Sequence, residues 1–321
     1  MSKLFIIGNG FDLAHEIKSS YEDFHEYLNE NFQNKEIYIL DRQYDSDGNP
    51  IYDENEKVSF IKNLICNAEG KGKKWSNLEE SLGYLIQKSL NSNNIGYGDF
   101  DLDDYFDEID DFKNIYNNED KSGDIKNVLL EIPDYFSEWI DNYIDLSDTK
   151  AKNEFKNLIS KEDLFFSFNY TGTLEELYGV ENVCHIHGYN NCGDDLLFGH
   201  GNLNGDFLNN VPIGTEESFY YIFEGLRKNT NRAIKKHKQF FDKITNEIDS
   251  IYSYGFSFGD VDLIYIKEIL SRLDTKNITW YFNEFKYSNG ETNKDEIKRF
   301  INKLKNDLDF KGKISSFMID K

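Results

Sequence analysis

Apolar residues recur with two different periods along this chain, and the switches between them mark out its elements. Leu4 to Ile7 is an unbroken apolar run, the pattern of a strand buried on both faces. Gly8-Asn9-Gly10 stops it, and a helix-like pattern follows to His15. Glycine permits a tight turn and a close approach of backbone N–H groups to a ligand, and a helix N-terminus favours a phosphate. The stretch Gly8, Asn9, Gly10, Phe11 and Asp12 therefore reads as a nucleotide cradle at the carboxyl end of a central strand. Leu13 stands where the dinucleotide fingerprint wants a third small residue, so the two glycines alone fit a plain strand-to-helix turn equally well.

Ser19 and Glu22 have capping-box spacing, and Tyr21, Phe24, Leu28 and Phe32 then line one helical face. Residues 41–57 are polar, with Asp47-Gly48-Asn49-Pro50 as a turn, and predict an exposed loop or hairpin. Residues 58–146 read as almost wholly helical. A capping box at Ser76 to Glu79 leads into Leu78, Leu82, Leu85 and Ile86. Tyr105, Ile109, Phe112 and Tyr116 form the apolar face of an acidic helix, and Ile132, Phe136, Trp139, Ile140 and Tyr143 that of another, begun or kinked at Pro133.

From residue 161 short extended runs alternate with helical ones. Strands are predicted at Asp163–Asn169, Val183–Gly188, Leu196–Gly201, Asp249–Phe258, Ile278–Phe282 and Ile314–Ile319. Thr173 to Glu176 caps a helix, a long helical region runs from about 215 to 248, and Gly259-Asp-Val-Asp262 opens a helix ending at Leu270. Alternating strands and helices imply a mostly parallel sheet. The predicted fold is α/β and Rossmann-like, the sheet flanked by helices. Residues 1–40 supply its first strand, turn and helix, 41–160 form a mainly helical insertion or cap, and 161–321 complete it.

Composition narrows the function classes. With 36 Lys and Arg against 59 Asp and Glu, the formal charge is −23, which opposes an extended nucleic-acid surface. Eleven acids against two lysines over residues 99–124 read as a solvated face or a partner surface. Arg227, Lys228, Arg232, Lys235, Lys236 and Lys238 form a basic cluster that reads as an exposed face or a local contact with a nucleotide or nucleic acid. No apolar run is long enough to cross a bilayer, and Leu4–Ile7 is too short for a secretory signal. Three cysteines (Cys66, Cys184, Cys192) fit reduced thiols, and a cytoplasmic protein is expected.

In an open parallel sheet ligands bind outside the carboxyl ends of strands. The polar residues at those ends are Asn9 and Asp12, Asn169 and Thr171, His187, His200, Ser257 and Asp260, with His15 and His185 beside them. Three chemistries compete for this set. Metal binding finds His-x-His with Cys184 and Cys192 but no spaced pair of ligand clusters, so no metal is expected. Ser257 in Gly255-Phe-Ser-Phe-Gly259 has nucleophile-elbow spacing. No histidine follows it, which rules out a triad in the order Ser, acid, His. Glycosidic cleavage of a bound dinucleotide needs a phosphate cradle, a polar group at the ribose and an imidazole to take a proton. Gly8–Gly10, Asn169 and His187 are residues of those types.

Leu-Phe-Ile-Ile-Gly-Asn-Gly-Phe-Asp-Leu-Ala-His (4–15) and Ser-Tyr-Glu-Asp-Phe (20–24) resemble the start of the AbiH family of bacterial abortive-infection proteins. The resemblance extends through Trp75-Ser-Asn-Leu-Glu79, Phe168-Asn-Tyr-Thr171 with Glu175, Val183-Cys-His-Ile-His-Gly188, Phe198-Gly-His200 and Gly255-Phe-Ser-Phe-Gly-Asp260. It implies a phage-defence protein that harms or arrests its own host cell. A weaker likeness is to the sirtuin-type NAD-binding domain, at Gly8 and Gly10, Asn169, and His187 with Gly188. That likeness implies an effector that binds NAD and hydrolyses it. Asn169 would hold the nicotinamide ribose and the attacking water, and His187 would be the general base. Gly8, Asn9, Gly10, Phe11, Asp12, Thr171, Gly188, Ser257 and Asp260 would contact the nucleotide.

Thr171 stands where that family's Asn-x-Asp step has a carboxylate. Glu79 is a candidate replacement, its other reading being the capping partner of Ser76. The expectation is an NAD-binding, NAD-hydrolysing defence effector, with a homo-oligomer and a phage-derived trigger as candidate partners. Its rivals are a non-catalytic nucleotide sensor signalling through the helical insertion, and a nuclease.

Overall fold

Leu4–Ile7 lies in the middle of a six-stranded, all-parallel sheet. The structure is a computed structural model and describes residues 2–36, 40–69, 75, 77–90, 102, 105–106, 112–190, 196–287 and 290–319. The sheet strands are β1 Ser2–Ile7, β2 Leu164–Ser167, β3 Val183–His185, β4 Ile248–Tyr254, β5 Thr279–Glu284 and β6 Lys313–Met318. Their order is β3-β2-β1-β4-β5-β6. Strand order therefore reverses at β1, the kind of switch point over which doubly wound sheets bind dinucleotides. This is the α/β, Rossmann-like sheet that the alternating pattern predicts.

Alternation along each strand divides two cores. Leu4, Ile6, Phe166, Ile251 and Trp280 share one, which is closed by α5 Lys238–Phe241, α6 Leu263–Leu270 and α7 Lys294–Asn306. Phe5, Ile7, Phe165 and Tyr252 share the other, with Phe11 of α1 Asn9–Ala14, Phe155 of α2 Asn153–Leu158 and Leu174 of α3 Thr173–Tyr178. Both faces are covered, so β1 needs no polar position, and each buried large side chain contributes about 1.5–3 kcal/mol. Trp280 satisfies its indole N–H by donating to Ser253 Oγ at 2.7 Å.

The chain forms two compact units. Met1–Ser20, Ile140–Leu197 and Asn229–Lys321 make the sheet unit. Tyr21–Trp139 and Phe198–Lys228 make the second, which is mainly helical, with helices Tyr21–Asn31, Glu54–Glu69, Leu78–Leu82, Leu85–Leu90, Phe112–Leu129 and Glu216–Gly225. Its aromatic core places Phe24 against Trp75 and Phe136. The polar stretch after residue 41 forms a small antiparallel hairpin, Gln43–Tyr44 with Pro50–Ile51, whose turn is fixed by Gly48 at φ +85. Among the described residues no helix is long and apolar enough to cross a membrane.

Three elements differ from the pattern-based expectation. Helix Phe112–Leu129 buries Asn118, Ser122, Ile125, Val128 and Leu129, whereas Phe112 and Tyr116 are 81% and 66% exposed. The face set by its C-terminal half wins over Tyr105–Tyr116 spacing; Ile109 lies outside the described residues. Leu196–Gly201 is not a strand: Gly199 at φ +141 interrupts the extended run, and only a single bridge joins His200 to Arg227. The long helical region after 215 is three helices, Glu216–Gly225, α4 Thr230–Lys236 and α5.

Candidate functional site

Parallel register brings four strand ends level. Ile7 pairs with Ser167 and Tyr254, and Ser167 with His185. The residues just beyond that row are Gly8, Phe168-Asn169, Ile186-His187 and Gly255, so the positions of Asn169 and His187 follow from where their strands stop.

At the β1–β4 end the chain closes on itself. Gly8 N–H donates to the Tyr254 carbonyl at 3.1 Å, Gly10 N–H to the Gly255 carbonyl at 3.0 Å, and Phe11 N–H to the Gly8 carbonyl at 2.8 Å. A Cβ on Gly8 would lie 2.6 Å from Phe256 Cα, and one on Gly10 2.7 Å from Gly255 Cα. Gly255 has φ +72, and a Cβ there would run into the Phe11 nitrogen. The glycines therefore allow one backbone to pack on another, and three N–H groups of the turn are engaged within the protein. Phe11 is core, its ring edge-on to Phe155 and Tyr254. Asn9 is exposed and accepts the Ser19 hydroxyl at 2.6 Å.

α1 turns Asp12 inward, where it is 1% exposed. Thr171 Oγ1 donates to its Oδ2 at 2.6 Å, and Thr173 donates to Thr171 Oγ1 at 3.0 Å. Burial pushes the Asp12 carboxyl up to about 6, while the side chains of Thr171, Thr173 and Asn169 and the nearby His185 pull it down. His185 faces two acceptors, the Asn169 carbonyl at 3.2 Å and Glu175 Oε1 at 2.9 Å. Asp12 Oδ1 and Asn169 Oδ1 are both buried, and neither makes a hydrogen bond among the described residues. Unpaired buried atoms of this kind cost about 1–3 kcal/mol each.

His187 sits two residues beyond β3, as Asn169 does beyond β2. Strict alternation puts His185 and His187 on one face, but the strand ends at His185. Gly188 N–H turns back to the His185 carbonyl at 3.1 Å, with Gly188 at φ +78. The His187 ring instead packs near Phe168, Tyr170 and Tyr265. It is 2% exposed, its Nε2 lies 3.4 Å from Asp262 Oδ1, and neither nitrogen makes a hydrogen bond among the described residues. The arrangement places an imidazole beside a carboxylate, a pairing of the kind general acid–base chemistry uses.

A family model described as "Bacteriophage abortive infection AbiH" matches residues 4–284. The chain belongs to the AbiH family. Its role is therefore in phage defence by abortive infection. A search of the curated proteins and a search of the solved structures gave no match.

The remaining candidates of this AbiH-family chain fall elsewhere. Ser257 and Asp260 are exposed, and Asp260 is held by Lys303 at 2.6 Å. His200 belongs to the helical unit, where Nε2 faces the Phe223 carbonyl at 2.9 Å and Nδ1 accepts from Asn202 N–H at 3.1 Å. Burial lowers its pKa to about 4, consistent with a neutral ring doing structural work. His15 is satisfied too, by the Phe11 carbonyl at 2.7 Å and the Tyr178 hydroxyl at 2.6 Å. Glu79 pairs with the buried Lys228 at 2.6 Å within the helical unit; Ser76 and Cys192 lie outside the described residues. Among the described residues no three His, Cys, Asp or Glu side chains gather in a metal-holding group.

Sequence reasoning missed Thr173, Asp262 and the His185–Glu175 pair. Thr173 was expected to cap α3, yet its hydroxyl serves Thr171 and, through it, Asp12. The signal was the Thr-x-Thr spacing at 171–173. For Asp262 it was a second acid in the turn that leaves β4.

Proposed function

We propose that this AbiH-family protein acts in phage defence by binding NAD at the carboxyl ends of β1–β3 and hydrolysing its nicotinamide–ribose bond. The observation that carries the reading is the set of buried polar atoms without hydrogen bonds among the described residues: Asp12 Oδ1, Asn169 Oδ1 and both His187 nitrogens. A ligand bearing ribose hydroxyls and a carboxamide supplies the partners they lack. The switch in strand order at β1 supports a dinucleotide at this edge of the sheet.

In the reaction, water adds to C1′ of the nicotinamide ribose while the C1′–N bond breaks. The bonding pair returns to the pyridinium ring, so neutral nicotinamide leaves and ADP-ribose remains. His187 takes the proton lost by the water, and Asp262 beside Nε2 stabilises the imidazolium. Asn169 orients the water and a ribose hydroxyl. Asp12, held by Thr171, supplies the negative charge that favours the oxocarbenium-like transition state. A threonine at 171 thus places an acid by hydrogen bonding instead of carrying one.

The test is nicotinamide release from NAD by the parent protein, Asn169→Ala and His187→Ala. We expect release by the parent and losses of about 100-fold or more in each variant. Turnover retained in both variants overturns the assignment of roles. One observation favours a non-catalytic sensor instead: His187 and Asn169 are only 2% and 5% exposed, so water must gain entry for hydrolysis. NAD-dependent thermal stabilisation without release would select the sensor. Neither signal would remove NAD altogether.

A further inference from the structure

Past Ser167 the pairing of β2 with β3 is taken over by side chains. Within the ladder, Phe165 N–H donates to the Asn182 carbonyl at 3.0 Å and Ile186 N–H to the Ser167 carbonyl at 3.1 Å. A parallel ladder repeats every two residues. Its next bonds would run from Asn169 N–H to the Ile186 carbonyl and from Gly188 N–H to the Asn169 carbonyl. Both donors turn elsewhere: Asn169 N–H to Ser167 Oγ at 3.2 Å, and Gly188 N–H back to the His185 carbonyl. The Asn169 carbonyl is met instead by His185 Nδ1 at 3.2 Å.

The ring that replaces the ladder bond is itself fixed. Glu175 of α3 brings Oε1 to 2.9 Å from Nε2, and the Tyr189 ring stacks on the imidazole with centroids 4.2 Å apart. His185 is buried. A neutral imidazole has one N–H and one lone pair, so either neutral tautomer turns a lone pair on an acceptor, at the Asn169 carbonyl or at the Glu175 carboxylate. Both contacts are hydrogen bonds when both nitrogens carry hydrogen, and the charged ring is then paired with the carboxylate. Asp12 adjoins the same group. Burial raises its carboxyl, and the side chains of Thr171, Thr173 and Asn169, then His185, pull it down.

We propose that Glu175 and His185 are positioning residues for Asn169, with His185 gripping the Asn169 carbonyl through Nδ1–H while Glu175 holds Nε2–H. The grip fixes the main chain from which the Asn169 amide projects, and that amide carries a buried Oδ1 without a hydrogen bond among the described residues. An amide held in one orientation before a ligand arrives lowers the ordering cost of binding. What Asn169 binds rests on the NAD reading above; the grip does not.

The full-length protein, labelled with 15N, is compared by NMR with Glu175→Gln, Glu175→Ala and Glu176→Ala, the last removing an exposed acid one residue away. An unchanged thermal midpoint establishes that each variant is folded. At neutral pH we expect hydrogen on both His185 ring nitrogens in the parent and on one in Glu175→Gln. The Asn169 side-chain amide signals should move in Glu175→Ala and stay in place in Glu176→Ala. NAD affinity is then measured by calorimetry for the parent, Glu175→Ala, Asn169→Ala and the double variant. Glu175→Ala should cost about tenfold when Asn169 is present and little once it is gone.

A bare ring nitrogen on His185 in the parent overturns the grip, as do Asn169 signals that ignore Glu175→Ala. Equal losses of NAD affinity from Glu175→Ala with and without Asn169 also overturn it and leave the NAD reading standing. NAD bound by none of the forms removes that reading, and the ring and amide signals alone then decide the grip.

Discussion

The glycine junction at the β1–β4 ends and the rim formed by Asp12, Asn169 and His187 lie along the same edge of the sheet, yet they treat buried polar groups in opposite ways. At the junction Gly8, Gly10 and Phe11 donate to backbone carbonyls, and the space a side chain would fill holds the neighbouring backbone. Along the rim a carboxylate oxygen, an amide oxygen and two imidazole nitrogens are buried without hydrogen bonds among the described residues. A fold gains nothing from leaving such groups unpaired, so the rim is where a ligand has something to add. The junction is where the chain holds itself together. Buried histidines repeat the contrast: His15 and His200 are satisfied at both nitrogens, and His187 at neither.

The largest effect should come from the junction. Gly255→Ala places a Cβ against Phe11 at a positive φ and should cost about 4 kcal/mol or more in urea unfolding. A loss below about 1 kcal/mol would mean the junction is slack. Next, one substitution made at two histidines should give unlike results. His200→Leu strands the Phe223 carbonyl and the Asn202 N–H, a loss of about 2–4 kcal/mol. His187→Leu breaks no hydrogen bond among the described residues but leaves Asp262 Oδ1 beside an apolar chain, so it should cost less than His200→Leu, about 1–2 kcal/mol, and on the NAD reading it ends turnover. Equal losses at both sites would erase the distinction.

Asp12 gives a pH-dependent version of the same comparison. Its folded pKa of about 6 lies above the ordinary 3.8, so the folded state binds this proton more tightly than the unfolded chain. The stability it contributes is present below about pH 4 and is lost as pH rises through about 6, by at most about 3 kcal/mol. Asp12→Asn lacks this dependence. The stability of the parent relative to the variant should therefore fall between those pH values and level off above them; a flat difference would contradict the buried carboxyl. The smallest effect is expected for Thr173→Val, about 1 kcal/mol, with the Asp12 titration moved further up.

Much of the fold was legible because β1 needs four apolar residues in a row and each later strand ends at a polar or glycine position. Asn169 and His187 could be found the same way, from where strands stop. Partnership was not legible. Nothing local in Gly8-Asn-Gly10 says that Tyr254 and Gly255, far along the chain, engage its N–H groups, and nothing in His-x-His says that the strand ends between the two rings. Thr171 looked like the loss of an acid, whereas α1 delivers Asp12 to it from 159 residues away. Helix Phe112–Leu129 misled for a related reason, since spacing identifies a face but not which of two apolar faces is covered.

The most direct test is to follow the histidine ring signals by NMR while NAD is added to the full-length protein. Cleaved or intact, a nucleotide seated at the rim must change the surroundings of His187. The account predicts that the His187 Cε1–H signal moves with NAD while those of His15 and His200 stay in place. A His187 signal that stays fixed when NAD is saturating would contradict it.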